Sequence, residues 1–395
     1  MSPPPVRVAI IGLSKSATTS WASTAHLPNL LTDAGRERFK IVALLNTSVA
    51  KAEAAIQAYG LDPKTTKAYG HPDDLAADPD VDLVLCSTRV DTHYAALLPS
   101  LQSGKDVYVE WPIASNLADT EALVAAARAS GAGTVVGVQR RYAPMVLKVQ
   151  ELLDAGAIGK LLNVQVNVHN GFVSSDVKPA GLKYFVERAV GGNPITIIIG
   201  HLLDAVETTV GNFIPGTLHS HTQLQKPDIK IIDPATKEII ETVRSDVPDL
   251  LSLHGFVKSA RTHNEPATLT LHYERGFQFP GHPSLEWTMT GTTGKIRVVE
   301  PAGTSFETDP GPDGLTIQLW TFDTNKVEDV PWGYSDLQLQ VNPRARTTQT
   351  LLYAYADAKR GLTKDDIRKT PEWPTLESGA ARAAEMEEWL SSFKA

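Results

Sequence analysis

The sequence predicts two units of different class: an N-terminal α/β unit on a doubly wound parallel sheet, and a C-terminal α+β unit with a large, mainly antiparallel open sheet. Three observations carry this. Over residues 6–138 short apolar runs alternate with helix-length periodic segments, the pattern of repeated β-α-β units. After residue 160 the apolar period changes to two. The 395 residues exceed one core of ordinary size, so two domains, 1–143 and 144–395, are expected.

The elements follow in order. Residues 6–11 are an apolar strand, Gly12 opens a Ser/Thr-rich loop, and a periodic segment with His26, Leu27 and Leu30 reads as a helix. Apolar runs at 39–45 and 81–86 are the second and third strands, followed by helical segments at 49–59 and 93–102. Strands at 107–110 and 133–138 continue the series, and the helix between them opens near Ser115 and closes at Gly131. The first unit ends near Tyr142. Pro144 suits the first turn of a helix running through Leu147, Leu152 and Leu153 to Gly156. Leu162, Val164, Val166 and Val168 then alternate with Asn163, Gln165, Asn167 and His169, as a half-buried antiparallel strand requires. Further strands are expected at 251–256, 267–274, 284–290 and 295–299. Helices at 347–359 and 376–393 are expected to complete this second unit, leaving one apolar sheet face uncovered and therefore a homo-oligomer, dimer or tetramer. The polar, proline-punctuated stretch 226–247 reads as a surface excursion.

Composition narrows the function. Hydrophobic residues at 42% and charged residues at 21% are those of a globular chain. Lys+Arg 37 against Asp+Glu 45 gives 37 − 45 = −8, a field that argues against nucleic-acid and acidic-membrane partners and leaves a small-molecule substrate held locally. The lone Cys86 cannot form an internal disulfide, which favours a reducing compartment, the cytoplasm. The N-terminus has no signal-length apolar stretch, and no run of 18 apolar residues follows.

A Gly directly after the first strand of a β-α-β unit lets the backbone turn tightly toward a pyrophosphate, the geometry of a Rossmann dinucleotide site. Gly12 stands there, and Ser14, Lys15 and Ser16 offer hydroxyls and a charge where the second and third glycines of G-x-G-x-x-G are absent. An ordinary polar loop is the competing reading. At the end of the second strand, where an acidic residue would grip a ribose and repel a 2′-phosphate, the chain has Asn46 and Thr47, with Lys51 further on. The expected cofactor is therefore NADP or NAD. Asn46 equally suits a strand-end turn.

With these segments placed, the chain resembles the Gfo/Idh/MocA oxidoreductase family. Residues 84–93, Val-Leu-Cys-Ser-Thr-Arg-Val-Asp-Thr-His, look like the family's third-strand T-P-x-x-x-H segment, and 104–112, ending Glu110-Trp111-Pro112, look like its G-K-x-V-x-x-E-K-P segment. Residues 139–144 with 156–159 are similar to its crossing from the cofactor domain, and 291–296 to its late sheet turn. The resemblance implies cofactor contacts from Ser87, Thr88, Arg89, His93, Glu110, Trp111 and Arg141. Two departures stand out. The family's Lys in E-K-P is Trp111, which cannot titrate, and the Asp four residues before the motif histidine His201 is Ile197. These losses, with Gly12-Leu13-Ser14 and Ser20-Trp21, resemble the galactose-regulon-repressor branch, whose members bind a dinucleotide without an established dehydrogenase role.

Reduction of a carbonyl or imine needs a proton donor beside the hydride. His201 is the first candidate because an ordinary imidazole titrates near neutrality, the alternative being a histidine that satisfies buried polar groups. Tyr184, its phenol eased by the neighbouring ammonium of Lys183, is the second; a surface strand pair competes. Arg141 and Tyr142 suit a substrate carboxylate or, alternatively, interdomain packing. His219 and His221 alternate on an expected strand without a third ligand, so no metal site is expected. Two functions remain: an NAD(P)-dependent oxidoreductase acting on a small polar or cyclic carbonyl, imine or alcohol, and a non-catalytic dinucleotide-binding regulator of the galactose-regulon-repressor type.

Overall fold

The computed structural model describes residues 3–17, 19–170, 176–362, 373–391 and 393–394. Contacts divide the chain into two compact units that interleave in sequence: the first joins 1–139 to 189–192 and 334–384, the second joins 140–188 to 193–333 and 385–395.

The first unit holds a six-stranded sheet of β1 (Val6–Ile11), β2 (Phe39–Leu45), β3 (Lys67–Tyr69), β4 (Leu83–Cys86), β5 (Asp106–Glu110) and β6 (Thr134–Gly137). Their order is β3-β2-β1-β4-β5-β6 and every pair is parallel. The central strands are continuous apolar runs because helices cover both faces, and β4 and β5 are buried along their whole length. The order reverses between β1 and β4, so loops leaving their C-terminal ends frame the crevice where such sheets take ligands. The short β3 was not expected: its three residues carry no apolar run, and β2 draws them into register.

The helices after residue 340 are a correction. Pro343–Lys359 belongs to the first unit, where the carbonyl of Ala345 accepts from Asn29 Nδ2 (2.8 Å) and the Tyr353 hydroxyl donates to Asn29 O (2.9 Å). Leu376–Ser391 is divided, its residues up to 384 counting with the first unit. Residue 392, in the expected helix 376–393, lies outside the described residues.

The second unit carries a nine-stranded sheet. Its strands are β7 (Leu161–His169), β9 (Asn212–Phe213), β10 (His219–Gln223), β13 (Leu250–Lys258), β14 (Ala267–Glu274), β15 (Leu285–Gly291), β16 (Gly294–Glu300), β17 (Thr316–Thr321) and β18 (Lys326–Asp329). Their order is β10-β13-β14-β7-β15-β16-β17-β18, with β9 added beside β13; β14 and β7 pair in parallel and the other pairs are antiparallel. Val164, Val166 and Val168 are buried on one face while Gln165 and Asn167 stand exposed on the other, as their alternation requires.

The outer face differs from expectation. It presents Gln165, Asn167, Thr268, Thr270, His254 and Arg297, with Phe256 and, on β18 opposite Trp320, Val327 as exposed apolar residues. This face is mixed, with polar side chains the more numerous of those named, where an apolar one was expected.

The stretch 226–247 is also a correction. It forms β11 (Asp228–Ile232) and β12 (Ile239–Arg244), which join β8 (Val177–Pro179) in a three-stranded sheet. Ile229 and Ile231 pack with Val186 into a small core of their own, a pattern hidden by the charged residues that alternate with them. No helix among the described residues is long and apolar enough to cross a membrane.

Candidate functional site

In the first unit, the loops after β1, β2 and β4 meet. Gly12 has φ +93°, and a Cβ there would lie 2.5 Å from Ser87 O and 2.6 Å from Thr88 Cγ2. Glycine is therefore required for the first loop to pass the third strand-end loop. Gly12 N donates to Leu45 O (3.1 Å), and Asn46 Nδ2 donates to Leu13 O (3.0 Å), so the residue expected to meet a ribose also pins the first loop.

Around this junction, Ser16 N donates to Ser14 Oγ (3.2 Å), and the two serine hydroxyls lie 3.0 Å apart. Lys15 Nζ sits over the Tyr59 ring at 4.5 Å, and Lys51 Nζ donates to Thr47 Oγ1 (3.0 Å). Both cations thus belong to the β1 and β2 ends. Arg89 is committed to Asp91 through two bonds of 2.6 Å, and Thr88 Oγ1 lies 2.7 Å from Thr92 Oγ1.

His93 and Glu110 serve as framework. The His93 ring is buried, with Nε2 3.1 Å from Thr88 O and Nδ1 3.1 Å from Pro112 O and 3.2 Å from Ile113 O. Burial lowers its pKa, so a neutral ring ties the β4 loop to the segment after β5. Glu110 Oε1 accepts from His26 Nε2 (2.6 Å) and from the Tyr108 hydroxyl (3.2 Å). A Cβ at Gly137 would come within 2.7 Å of Glu110 Oε2, so the carboxylate is enclosed by its neighbours. Trp111 is 5% exposed.

In the second unit, Asn193 Oδ1 accepts from Ile195 N (3.0 Å) and Thr196 N (3.1 Å), which starts a π-helical turn, Ile195–Ile199. That turn leads directly into the helix Gly200–Val210, buried at every position but Thr208, with the polar His201, Asp204, Glu207 and Thr209 among its buried residues. His201 is 6% exposed on its first turn, and its Nδ1 is buried without a hydrogen-bond partner among the described residues. Burial, and then the neighbouring charge of Arg140, hold its pKa well below the ordinary imidazole value. The ring is neutral at neutral pH, which corrects the expectation of a group poised at its midpoint.

The other expected groups stand apart from it. Arg141 forks onto Asp204 with Nε at 2.9 Å and Nη2 at 2.5 Å, and Tyr142 is fully buried. Lys183 and Tyr184 lie on a 3-10 helix, Ala180–Val186, rather than a strand. The Lys183 ammonium binds both Glu241 oxygens (2.9 and 2.8 Å), and the Tyr184 ring meets Phe185 edge-on. His219 stacks on His254 on the open sheet, and no group of three or more metal-binding side chains occurs among the described residues. A cavity of about 520 Å³ bounded by His169, Phe277, His282 and Thr304 contains none of the sequence-predicted residues.

Comparison with known proteins agrees with this division. Residues 6–138 match the family described as oxidoreductase, NAD-binding Rossmann fold, and residues 144–300 match the Gal80p C-terminal domain. A dehydrogenase of Aspergillus oryzae, aclE, is 34% identical over 299 residues, 75% of this chain and 77% of that protein. The chain belongs to the Gfo/Idh/MocA family. Within that family it carries a Gal80-type second domain. The galactose/lactose regulatory protein GAL80 of Saccharomyces cerevisiae is 26% identical over 257 residues, 64% of this chain and 58% of that protein. A super-repressor mutant of Gal80p from the same yeast superposes with TM-score 0.81 at 20% identity, covering 98% of this chain and 96% of the other. An oxidoreductase from Agrobacterium radiobacter, solved with NAD+, L-tartaric acid and magnesium, superposes with TM-score 0.68 at 17% identity, covering 98% and 96%. These two superpositions speak to the fold.

Proposed function

We propose that this Gfo/Idh/MocA protein is an NAD(P)-dependent oxidoreductase acting on a small polar substrate, with His201 handling the substrate proton. The observation that carries the reading is the unpartnered, buried Nδ1 of His201. An orphaned buried polar atom costs about 1–3 kcal/mol; His26 Nδ1 is in the same state, but its other nitrogen is held by Glu110, whereas His201 stands at the position of the family's motif histidine. The junction of Gly12, Asn46 and Ser87 supports a dinucleotide on the first unit, with Ser14, Lys15, Ser16 and Thr47 as polar neighbours for its phosphates and ribose. A bound nicotinamide would supply the hydride donor or acceptor. The chain's part is the proton: a neutral imidazole accepts it from a substrate hydroxyl, so the oxidative direction is the one His201 favours at neutral pH. The indole of Trp111 moves no proton.

NADP is the proposed partner ahead of NAD, since Asn46 places no negative charge against a 2′-phosphate and Lys51 and Lys15 lie at the same strand ends. Asn46→Asp is expected to cut NADPH affinity at least about 10-fold while leaving NADH affinity within about 3-fold, read by fluorescence titration. Equal losses for both nucleotides would mean that Asn46 acts only by holding Leu13 O.

A specific observation favours the second reading, a dinucleotide-binding regulator: Trp111 and Ile197 replace the two titratable groups of the family motifs in a chain with a Gal80-type second domain. For either reading we propose self-association through the mixed sheet face, as a water-rich interface rather than an apolar one. Light scattering at micromolar concentration should give a dimer or tetramer mass; a monomer mass would contradict it.

A further inference from the structure

Two adjacent arginines at the start of the second unit have opposite surroundings. Arg141 is neutralised by its fork onto Asp204. Arg140 is partly buried, and among the described residues only its Nη1 is engaged, donating to Thr304 O (2.9 Å) and to Ile198 O (3.3 Å). Among the described residues no carboxylate lies within ion-pair reach of it. Glu300 and Glu307 act on it only at longer range, and Glu300 is already occupied by the Thr308 hydroxyl (2.5 Å) and Phe306 N (3.2 Å).

The bond to Ile198 O matters because Ile198 lies in the π-helical turn that delivers His201. Arg140 is thereby fixed beside the imidazole, close enough for its charge to act on it. A half-buried cation without a counter-ion keeps donors to offer to an anion that reaches it. What remains on Arg140 is Nε–H and the Nη2 amino group, the planar fork that matches the two oxygens of a carboxylate.

We infer that Arg140 anchors a small carboxylate-bearing substrate beside His201, so that the substrate class is a hydroxy or oxo acid. This rests on the oxidoreductase reading for its chemistry and on Arg140's unmatched fork for its specificity. A hydroxy acid held this way has its carboxylate on the guanidinium and its hydroxyl proton free to pass to the imidazole. His201 is 6% exposed and Arg140 is half-buried, which suits a small acid better than the side chains of an acidic peptide.

The test uses the full-length chain with and without NADP+. Arginine Nε–H signals are followed by NMR during titration with formate, acetate, lactate and malonate, and the Arg140 signal is assigned by its loss in Arg140→Lys. The expected result is a shift of that signal with at least one acid. Lactate should bind at least 10-fold tighter than lactamide by calorimetry, Arg140→Gln should remove the difference, and Arg140→Lys should keep part of it. A signal unmoved by all four acids, or equal binding of lactate and lactamide, overturns the assignment. So does a shift with an acidic hexapeptide where the four acids give none, which would make the site one for a protein partner. Should Arg140→Gln fail to fold, the wild-type titration and Arg140→Lys decide. Carboxylate binding through Arg140 without turnover of any hydroxy acid keeps the site and removes the dehydrogenase reading. Turnover confined to uncharged substrates and unchanged in Arg140→Lys does the reverse.

Discussion

Gly12→Val is expected to lower dinucleotide affinity at least about 10-fold, or about 1.4 kcal/mol, and to lower the thermal midpoint as well. Two costs combine. A β-branched residue at φ +93° is strained by about 1–3 kcal/mol, and the new Cβ meets Ser87 O at 2.5 Å, a backbone atom that can move only with the β4 loop. Gly131→Ala separates the two. It also sits at positive φ, +73°, but a Cβ there meets nothing within 4 Å. Its expected effect is a modest loss of stability with dinucleotide affinity intact. If calorimetry shows Gly12→Val binding as tightly as the unmodified chain, the junction of the three loops is not the dinucleotide site.

His201→Ala is expected to lower kcat by roughly 10²-fold while leaving dinucleotide affinity within about 2-fold. The pH dependence adds a readout that packing alone would not change. Because the folded-state pKa of His201 lies below its unfolded value of roughly 6.5, the unfolded chain binds the extra proton first as pH falls. This histidine therefore contributes stability that is present above about pH 6.5 and lost on acidification through the window below it. His201→Gln should flatten that part of the profile, measured as the drop in thermal midpoint between about pH 7.5 and about pH 5.5. In the same way, oxidation should hold its rate from about pH 8 down to about pH 6.5, where an ordinary imidazole would already be half protonated. A midpoint drop equal in the wild type and His201→Gln would place the acid sensitivity on other groups.

What the sequence disclosed depended on how local the signal was. The parallel sheet and the period-two strand β7 were legible because burial on both faces writes a continuous apolar run, and burial on one face writes an alternation. The strand β3 and the hairpin of β11 and β12 were not, since three residues or charge-alternating ones acquire their conformation from a neighbouring strand. Assigning helix Pro343–Lys359 to the first unit depends on Asn29 and Thr32, more than 300 residues away in sequence. The site follows the same rule. Gly12 and His201 sit in motif positions and could be named. Arg140 could not be told from Arg141, because only the fold decides which of two identical neighbours receives Asp204. Lys183 beside Tyr184 suggests a coupled pair, and only the fold brings Glu241, 58 residues on, to the ammonium.

Whether this chain performs hydride chemistry or only binds a dinucleotide is read from the near-ultraviolet absorbance of reduced nicotinamide. The purified full-length chain is given NADP+ with hydroxy acids, polyols and cyclic alcohols, and NADPH with the matching carbonyl and imine compounds. The expected result is turnover of at least one pair, absent in Gly12→Val and reduced about 10²-fold in His201→Ala. Tight binding of NADPH with no turnover of any compound, together with nucleotide-dependent association with a protein partner, would contradict hydride chemistry and leave the regulator in its place.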